Sequence, residues 1–99
     1  MLRSHYISQA KSLAGQSVTL AGWVHEVRDL GKVRFLLLRD KTGIIQVFAK
    51  KGGMPDELFE KMVHPRETVL VVTGNVAASK IASGGVELAP TSIEILSTP

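Results

Sequence analysis

The chain has 99 residues, 44% of them hydrophobic, which suffices for one modest core and not for two. It has no cysteine, which excludes a disulfide framework and a thiolate metal site, and no apolar run approaches the roughly 20 residues that span a bilayer. Its net charge is +3, and residues 27 to 51 hold seven of the 12 cations, which favours a polyanion-binding face or a lysine-protected sheet edge. Since the N-terminus also lacks the apolar segment of a secretory signal, we expect a cytoplasmic protein without a membrane partner.

Residues 16 to 27 (QSVTLAGWVHEV) alternate between apolar and polar positions, which is typical of a half-buried strand. Gly22 lies in the middle of this run and predicts the bend or bulge that a small barrel needs at its corners. The following segment RDLGK, with Gly31, indicates a turn.

Residues 33 to 39 and 44 to 49 predict a β-hairpin joined by the short DKTG loop. If the aliphatic residues at alternate positions face the core, then Phe35 and Gln46 face outward. We expect Gln46 to lie directly across the hairpin from Phe35. A core does not require the amide and a solvated surface does not require the ring, so the pair suggests a binding surface.

The segment GGMPDELFEKMVHP predicts a helix that begins at Pro55, ends at Pro65 and closes one end of a barrel. Its expected buried residues are Leu58, Phe59 and Met62.

Residues 68 to 77 predict a buried strand, and VELAP and SIEIL complete the sheet with a break or bulge at Pro90. Three strands, one helix and two strands are typical of an all-β fold, the five-stranded OB-fold Greek-key barrel with one helix between strands 3 and 4. We expect residues 1–99 to form a single domain of this kind.

The residue pattern predicts no catalytic group. The three histidines lack metal-ligand spacing, none of the eight serines lies in a nucleophile motif, and no glycine-rich phosphate loop is present. We therefore expect no metal and no cofactor in this domain, and no catalysis by these 99 residues alone.

The candidate binding residues each have an ordinary structural alternative. Phe35 could stack on a base or pack beneath a loop or a partner domain, and Gln46 could read the edge of an unpaired base or be solvated. Arg28 could bind a phosphate or pair with Asp29. Glu87, on a strand expected to close the barrel near strand 1, could accept hydrogen bonds from guanine or be an ordinary surface glutamate.

The stretch GWVHEVRDLGKVRFLLLRDKTGIIQVFAK closely resembles the N-terminal anticodon-binding OB domain of aspartyl-tRNA synthetases, above all the archaeal type. RSHY near the start and GGVELAP and IEIL near the end match the same family. The resemblance implies that Phe35 stacks on the central anticodon uridine, that Gln46 hydrogen-bonds it, that Arg28 contacts the anticodon and that Glu87 recognises the wobble guanine.

The resemblance also bears on selectivity among tRNAs. Archaeal enzymes that are strict for aspartate tRNA tend to carry tryptophan where this chain has His25, and those accepting asparagine tRNA as well tend to carry histidine. Near Ser83, relaxed members often have proline and strict ones lysine, and this chain has neither. We expect relaxed specificity, with both aspartate and asparagine tRNAs accepted.

In the resembled family, a large C-terminal class II domain binds ATP, magnesium and aspartate, and the full-length enzyme is a homodimer. That domain lies outside these 99 residues, so we expect a piece of a longer enzyme, with tRNA and the catalytic domain as partners; a free-standing homologue is the alternative. The alternatives are an asparaginyl-tRNA synthetase domain, a general single-strand-binding or protein-docking OB module, and an engineered scaffold, against which the intact set of site residues argues.

Overall fold

The computed structural model describes residues 2–99, except for the side chain of Ser83. The strands are β1 (Ser17–Asp29), β2 (Val33–Asp40), β3 (Gly43–Lys50), β4 (Val69–Ala78) and β5 (Val86–Ser97), and the helices are α1 (Ile7–Ala10) and α2 (Asp56–Glu60). A 3₁₀ turn, Ser83–Gly85, precedes β5. Within residues 2–99, neither helix has the length and apolar character needed to cross a membrane.

The five strands close into one barrel in the order β1-β2-β3-β5-β4, with β4 returning to β1. The β3–β5 pairing is parallel and the other four are antiparallel. This confirms the predicted five-stranded OB barrel with a helix between strands 3 and 4. It corrects the expected position of β5, which closes the barrel against β3 and not beside β1.

The core follows from strand alternation. Leu36 and Leu38 of β2 are fully buried, as are their counterparts on β3, Ile45 and Val47, to within 1%. The hairpin therefore turns its intervening residues outward, as predicted. Pro90 does produce a bulge, because the β4–β5 register shifts between Thr73 and Gly74, opposite residues 90 to 92.

Gly22 lies at the predicted corner of β1. The first half of this long strand pairs with β4 and the second half with β2, and Trp23 pairs with both. A Cβ atom at residue 22 would overlap the carbonyl oxygen of Arg39 and lie 3.2 Å from Cγ of Leu38. Only glycine permits β2 to approach this closely, and the strand therefore changes partners here.

The helices differ from the prediction. α2 ends at Glu60, five residues before Pro65, although Phe59 and Met62 are buried in the core as predicted and Leu58 is half-buried.

Helix α1 was not predicted, because its four residues are too short to show a periodic pattern. It is held by tertiary contacts: Ile7 is fully buried, and its N–H donates to Oδ2 of Asp40 over 2.9 Å. The N-terminal segment therefore packs on the turn between β2 and β3.

Candidate nucleic-acid interface

Phe35 lies on the outward face of β2. Of its two neighbours along the strand, Arg34 pairs with Asp29 and Leu36 is buried in the core. Its ring centroid is 5.3 Å from that of Phe48 on β3, with the two planes inclined at 51°. Phe48 supports one side of the ring, since tilted aromatic pairs at this distance attract each other. The ring of Phe35 is half-buried, so it is available to a ligand from the outside.

Gln46 faces outward on β3, but its cross-strand partner differs from the prediction. The hairpin pairs Phe35 with Phe48 and Leu37 with Gln46. The reason is the two-residue turn that pairs Asp40 with Gly43 and so fixes the register of the whole hairpin. Gln46 is therefore diagonal to Phe35, a neighbour that long side chains still reach.

The amide of Gln46 has unused hydrogen-bonding capacity. Its Nε2 atom is buried and has no hydrogen-bond partner within the described part of the chain. A buried donor without a partner costs roughly 1–3 kcal/mol, so an acceptor brought by a ligand would bind there favourably.

Glu87 lies beside Gln46, because these two residues are partners in the parallel β3–β5 ladder. The sequence-based expectation placed this strand near β1, which is wrong. The closure order instead puts a half-buried carboxylate next to an amide on the same outward face. An acceptor and a donor thus lie on adjacent strands.

Arg28 is the β1 partner of Phe35, and its side chain is 70% exposed. Its Nε donates to Oε2 of Glu26 over 3.3 Å, so the expected alternative partner, Asp29, is not the one used. An exposed pair of this kind contributes little to stability, which leaves the guanidinium able to bind a phosphate instead.

Asp29 has other partners. It accepts hydrogen bonds from the N–H of Gly31 over 3.0 Å and from Nε of Arg34 over 3.1 Å. The backbone hydrogen bond from Gly31 and then the guanidinium of Arg34 hold the pKa of Asp29 below its usual value of 3.8. Asp29 therefore stabilises the turn between β1 and β2, and Arg28 pairs with Glu26 instead.

A surface cavity of about 700 Å³ brings three of the predicted site residues together. It is lined by cationic, aromatic and aliphatic side chains and by one amide: Lys11, Arg28, Phe35, Leu37, Gly43, Ile44, Gln46 and Ile81. Lys11 and Ile81 were missed from the sequence. Ile81 could have been noticed as an isolated apolar residue in a polar loop, and it is 82% exposed, whereas nothing in the sequence pattern singles out Lys11.

The two residues implicated in selectivity lie apart from this cavity or cannot be placed against it. His25 is exposed, at the β-bulge between Val24 and Glu26, and is not part of the cavity lining. Ser83 begins the 3₁₀ turn before β5, and its side chain lies outside the described residues. Across residues 2–99, no three His, Cys, Asp or Glu side chains cluster closely enough to hold a metal ion.

Residues 18–96 match a family model, tRNA anti-codon, described as an OB-fold nucleic acid binding domain. The chain is 54% identical over 84 residues to aspartate–tRNA(Asp/Asn) ligase of Methanopyrus kandleri, an alignment covering 84% of this chain and 20% of the relative. The chain thus spans about a fifth of the length of that curated relative.

Solved structures show the same architecture. Asparaginyl-tRNA synthetase from Pyrococcus horikoshii superposes with a TM-score of 0.88 and 36% identity, over 100% of this chain and 24% of that one. OBody AM1L10, solved bound to hen egg-white lysozyme, superposes with a TM-score of 0.87 and 34% identity, over 97% and 95% of the two chains. The resemblance inferred from the residues is confirmed, and the chain belongs to the tRNA anticodon family of OB-fold nucleic acid binding domains.

Proposed function

We propose that this domain recognises the anticodon of aspartate tRNA and positions that tRNA for aminoacylation by a catalytic domain elsewhere in a longer ligase. The observation that carries the proposal is the shared cavity, which is lined by the Phe35 ring and by a glutamine, Gln46, whose amide nitrogen lacks a partner. A ring for stacking and an amide for edge recognition are what an unpaired base requires.

The chemistry of uracil suits this pair. Nε2 of Gln46 can donate to a carbonyl oxygen of the base, and its Oε1 can accept from the base N3–H. The Phe35 ring offers a stacking surface at the diagonal position, and base–aromatic stacking contributes roughly 1–3 kcal/mol. We therefore assign the central anticodon uridine to Phe35 and Gln46.

Glu87 is assigned to the wobble guanine. A carboxylate accepts two hydrogen bonds, and guanine presents N1–H and N2–H donors side by side. The register places Glu87 next to Gln46, which fits successive bases bound by neighbouring strands. Arg28, whose only ion pair in the described structure is the exposed one with Glu26, binds the phosphate backbone or a base edge of the anticodon.

We propose that asparagine tRNA is accepted as well. The two tRNAs share the wobble guanine and the central uridine and differ at the third anticodon base. Support comes from His25, exposed at the β1 bulge, and from the name of the Methanopyrus kandleri relative, which includes both tRNAs. In the resembled enzymes the catalytic domain uses ATP and magnesium and the full-length protein is a homodimer, and we propose the same for the protein that carries this domain.

The test is the dissociation constant of the 99-residue chain for an anticodon stem-loop carrying GUC, compared with the same stem-loop carrying CAU. We expect at least tenfold tighter binding of GUC, equivalent to about 1.4 kcal/mol. A general single-strand-binding module would bind both alike, and a protein-docking module would bind neither. Either of those two results would overturn the proposal.

A further inference from the structure

A group of cations surrounds the turn between β2 and β3, at the edge of the cavity that contains Phe35 and Gln46. We name it the cationic rim, and it consists of Arg3, Lys11, Arg39 and Lys41. Helix α1 brings the first two to the turn, because the N–H of Ser8 donates to Oγ1 of Thr42 over 3.0 Å and Ile7 is anchored on Asp40.

Two of the rim cations share one aromatic ring. Cζ of Arg3 lies 4.0 Å from the ring centroid of Tyr6, and Nζ of Lys41 lies 4.8 Å from the same centroid. A hydrogen bond from Lys41 lowers the pKa of the Tyr6 phenol, and the charge of Arg3 acts in the same direction. The ring thus holds two like charges at one place, where a bound anion would relieve their repulsion.

Lys11 is positioned by a glycine in the loop before β5. A Cβ atom on Gly84 would lie 3.3 to 3.4 Å from the end of the Lys11 side chain, so the absence of a side chain at Gly84 gives the lysine room. Its Nζ also lies 3.8 Å from a Cβ built on Gly43, which lines the cavity. The ammonium group is therefore held at the edge of that cavity.

The rim cations differ in their charge partners from two arginines nearer the other end of the hairpin, Arg28 and Arg34. Arg28 pairs with Glu26, and Arg34 pairs with Asp29 and Glu60. Among residues 2–99, no carboxylate lies within salt-bridge distance of any rim cation.

The acid in the turn itself does not compensate the rim. Asp40 is 8% exposed and accepts hydrogen bonds from Ile7 and Thr42. The positive charge of the rim therefore remains available to an external polyanion.

The rim is continuous with this cavity, because Lys11 belongs to both and its Nζ lies beside Gly43, which also lines the cavity. A strand that left the cavity beside Gly43 would reach the turn that carries Lys41. We propose that the cationic rim binds backbone phosphates of the tRNA anticodon arm that lie outside the three anticodon bases. This inference rests on the proposed anticodon-binding function, to which it adds a second, sequence-independent contact.

The test compares the double variant Arg3→Gln/Lys41→Gln with wild type, using the GUC stem-loop and a pentanucleotide centred on the anticodon. The control, Lys51→Gln/Lys61→Gln, removes the same charge from residues that follow β3 and α2 and do not line the cavity. Glutamine retains side-chain length, and thermal unfolding identifies any variant that is not folded.

We expect the rim variant to bind the stem-loop about tenfold more weakly. The slope of log K against log salt, which is negative, should become shallower by about 1.4 to 1.8, because each of the two lost phosphate contacts removes roughly 0.7 to 0.9 from its magnitude. The affinity of the rim variant for the pentanucleotide should fall by less than about twofold. The control variant should lose less affinity for the stem-loop than the rim variant does. Equal losses in the rim and control variants, or on the two RNAs, would overturn the inference.

A second variant, Lys11→Gln, leaves the Tyr6 cluster intact and covers the case in which the double variant unfolds. It should lower the salt slope by about 0.7 to 0.9, and an unchanged slope counts against the rim. If wild type prefers GUC but the rim variants bind normally, only this inference fails. If wild type does not distinguish the anticodon, the proposed function fails.

Discussion

Phe35 shows how a strand with one buried face presents a ring on its outward face. Leu36 and Leu38 of β2 face the core and are fully buried, whereas Phe35 faces the other way and is only half-buried. Phe48 supports the ring from β3, at 5.3 Å between centroids. The ring is thus held in place before a base arrives, which lowers the entropy lost on binding.

Replacement of this ring should weaken RNA binding without unfolding the barrel. We expect Phe35→Ala to raise the dissociation constant for the GUC stem-loop roughly 5- to 150-fold. This change corresponds to about 1–3 kcal/mol of binding free energy, the contribution of one stacked base. Ile95→Ala is the control, since Ile95 is a 53% exposed apolar residue of β5 outside the cavity lining. Fluorescence anisotropy measures both, and similar affinities for the two variants would contradict the stacking role.

His25 tests the proposed relaxed selectivity. The resemblance implies tryptophan at this position in strict enzymes, and an indole at the exposed bulge would add contact area and an N–H donor to the proposed anticodon interface. His25→Trp should increase the ratio of affinities for GUC over GUU stem-loops by roughly tenfold, about 1.4 kcal/mol. An unchanged ratio would show that His25 does not set selectivity.

Residue-scale prediction succeeded where strand alternation decides orientation. Alternation alone turned Phe35 and Gln46 outward, and the structure agrees. It could not identify the cross-strand partner of Gln46, which depends on the turn type, nor Lys11, whose place at the cavity depends on a helix too short to show a pattern.

The strand β1 is the element in which a single glycine determines a packing arrangement. We expect Gly22→Ala to destabilise the barrel by about 1–3 kcal/mol, because the added methyl overlaps the backbone of Arg39. Gly43→Ala is the matched control: its nearest neighbours would be 3.8 Å away, so its effect should stay within about 0.5 kcal/mol. Urea unfolding measures both, and equal free energies of unfolding for the two variants would contradict this account of the corner.

The attachment of α1 to the β2–β3 turn should depend on pH. Burial raises the pKa of Asp40, but hydrogen bonds from Thr42, Ile7 and Gly43 outweigh it and hold the pKa below 3.8. Because the folded pKa is the lower one, Asp40 contributes stability that is present above pH 3.8 and is lost as the pH falls through the folded pKa.

Asp40→Asn should therefore cost about 1–3 kcal/mol of unfolding free energy at pH 7, in line with hydrogen bonds to a charged group. The difference from wild type should shrink as the pH falls below 3.8. Glu94→Gln, which removes a charge from an exposed position on β5, controls for net charge and should change stability by less than about 0.5 kcal/mol. A difference between wild type and Asp40→Asn that is constant from pH 7 to pH 3 would refute the role of the ionised carboxylate.

Element-scale prediction was limited by short and tertiary-stabilised segments. All five strands were located within a few residues, because each carries a long apolar or alternating run. Helix α2 was predicted to continue to Pro65 but ends at Glu60, while Met62 remains buried beyond the helix end. The core requires that side chain whether or not the backbone is helical.

For the whole molecule, the closure of the barrel creates the site. The parallel pairing of β3 with β5 joins residues 46 and 87, which are distant in sequence, and no local pattern specifies it. The family resemblance implied that Glu87 belongs with Gln46, although the expected strand neighbour was wrong. The ion pairs also differ across the molecule. Arg28 and Arg34 have carboxylate partners, whereas the rim cations, within the described residues, have none.

The most direct test of the central claim is a double-mutant cycle between Gln46 and the central anticodon base. Wild type and Gln46→Ala are each titrated with the GUC stem-loop and with a stem-loop that is abasic at the central position. If the amide contacts that base, Gln46→Ala lowers the affinity for the intact loop by about tenfold and for the abasic loop by less than twofold. The coupling free energy between the side chain and the base is then about 1 kcal/mol or more. An equal loss on both loops would contradict the account, because Gln46 would then act elsewhere than on the central base.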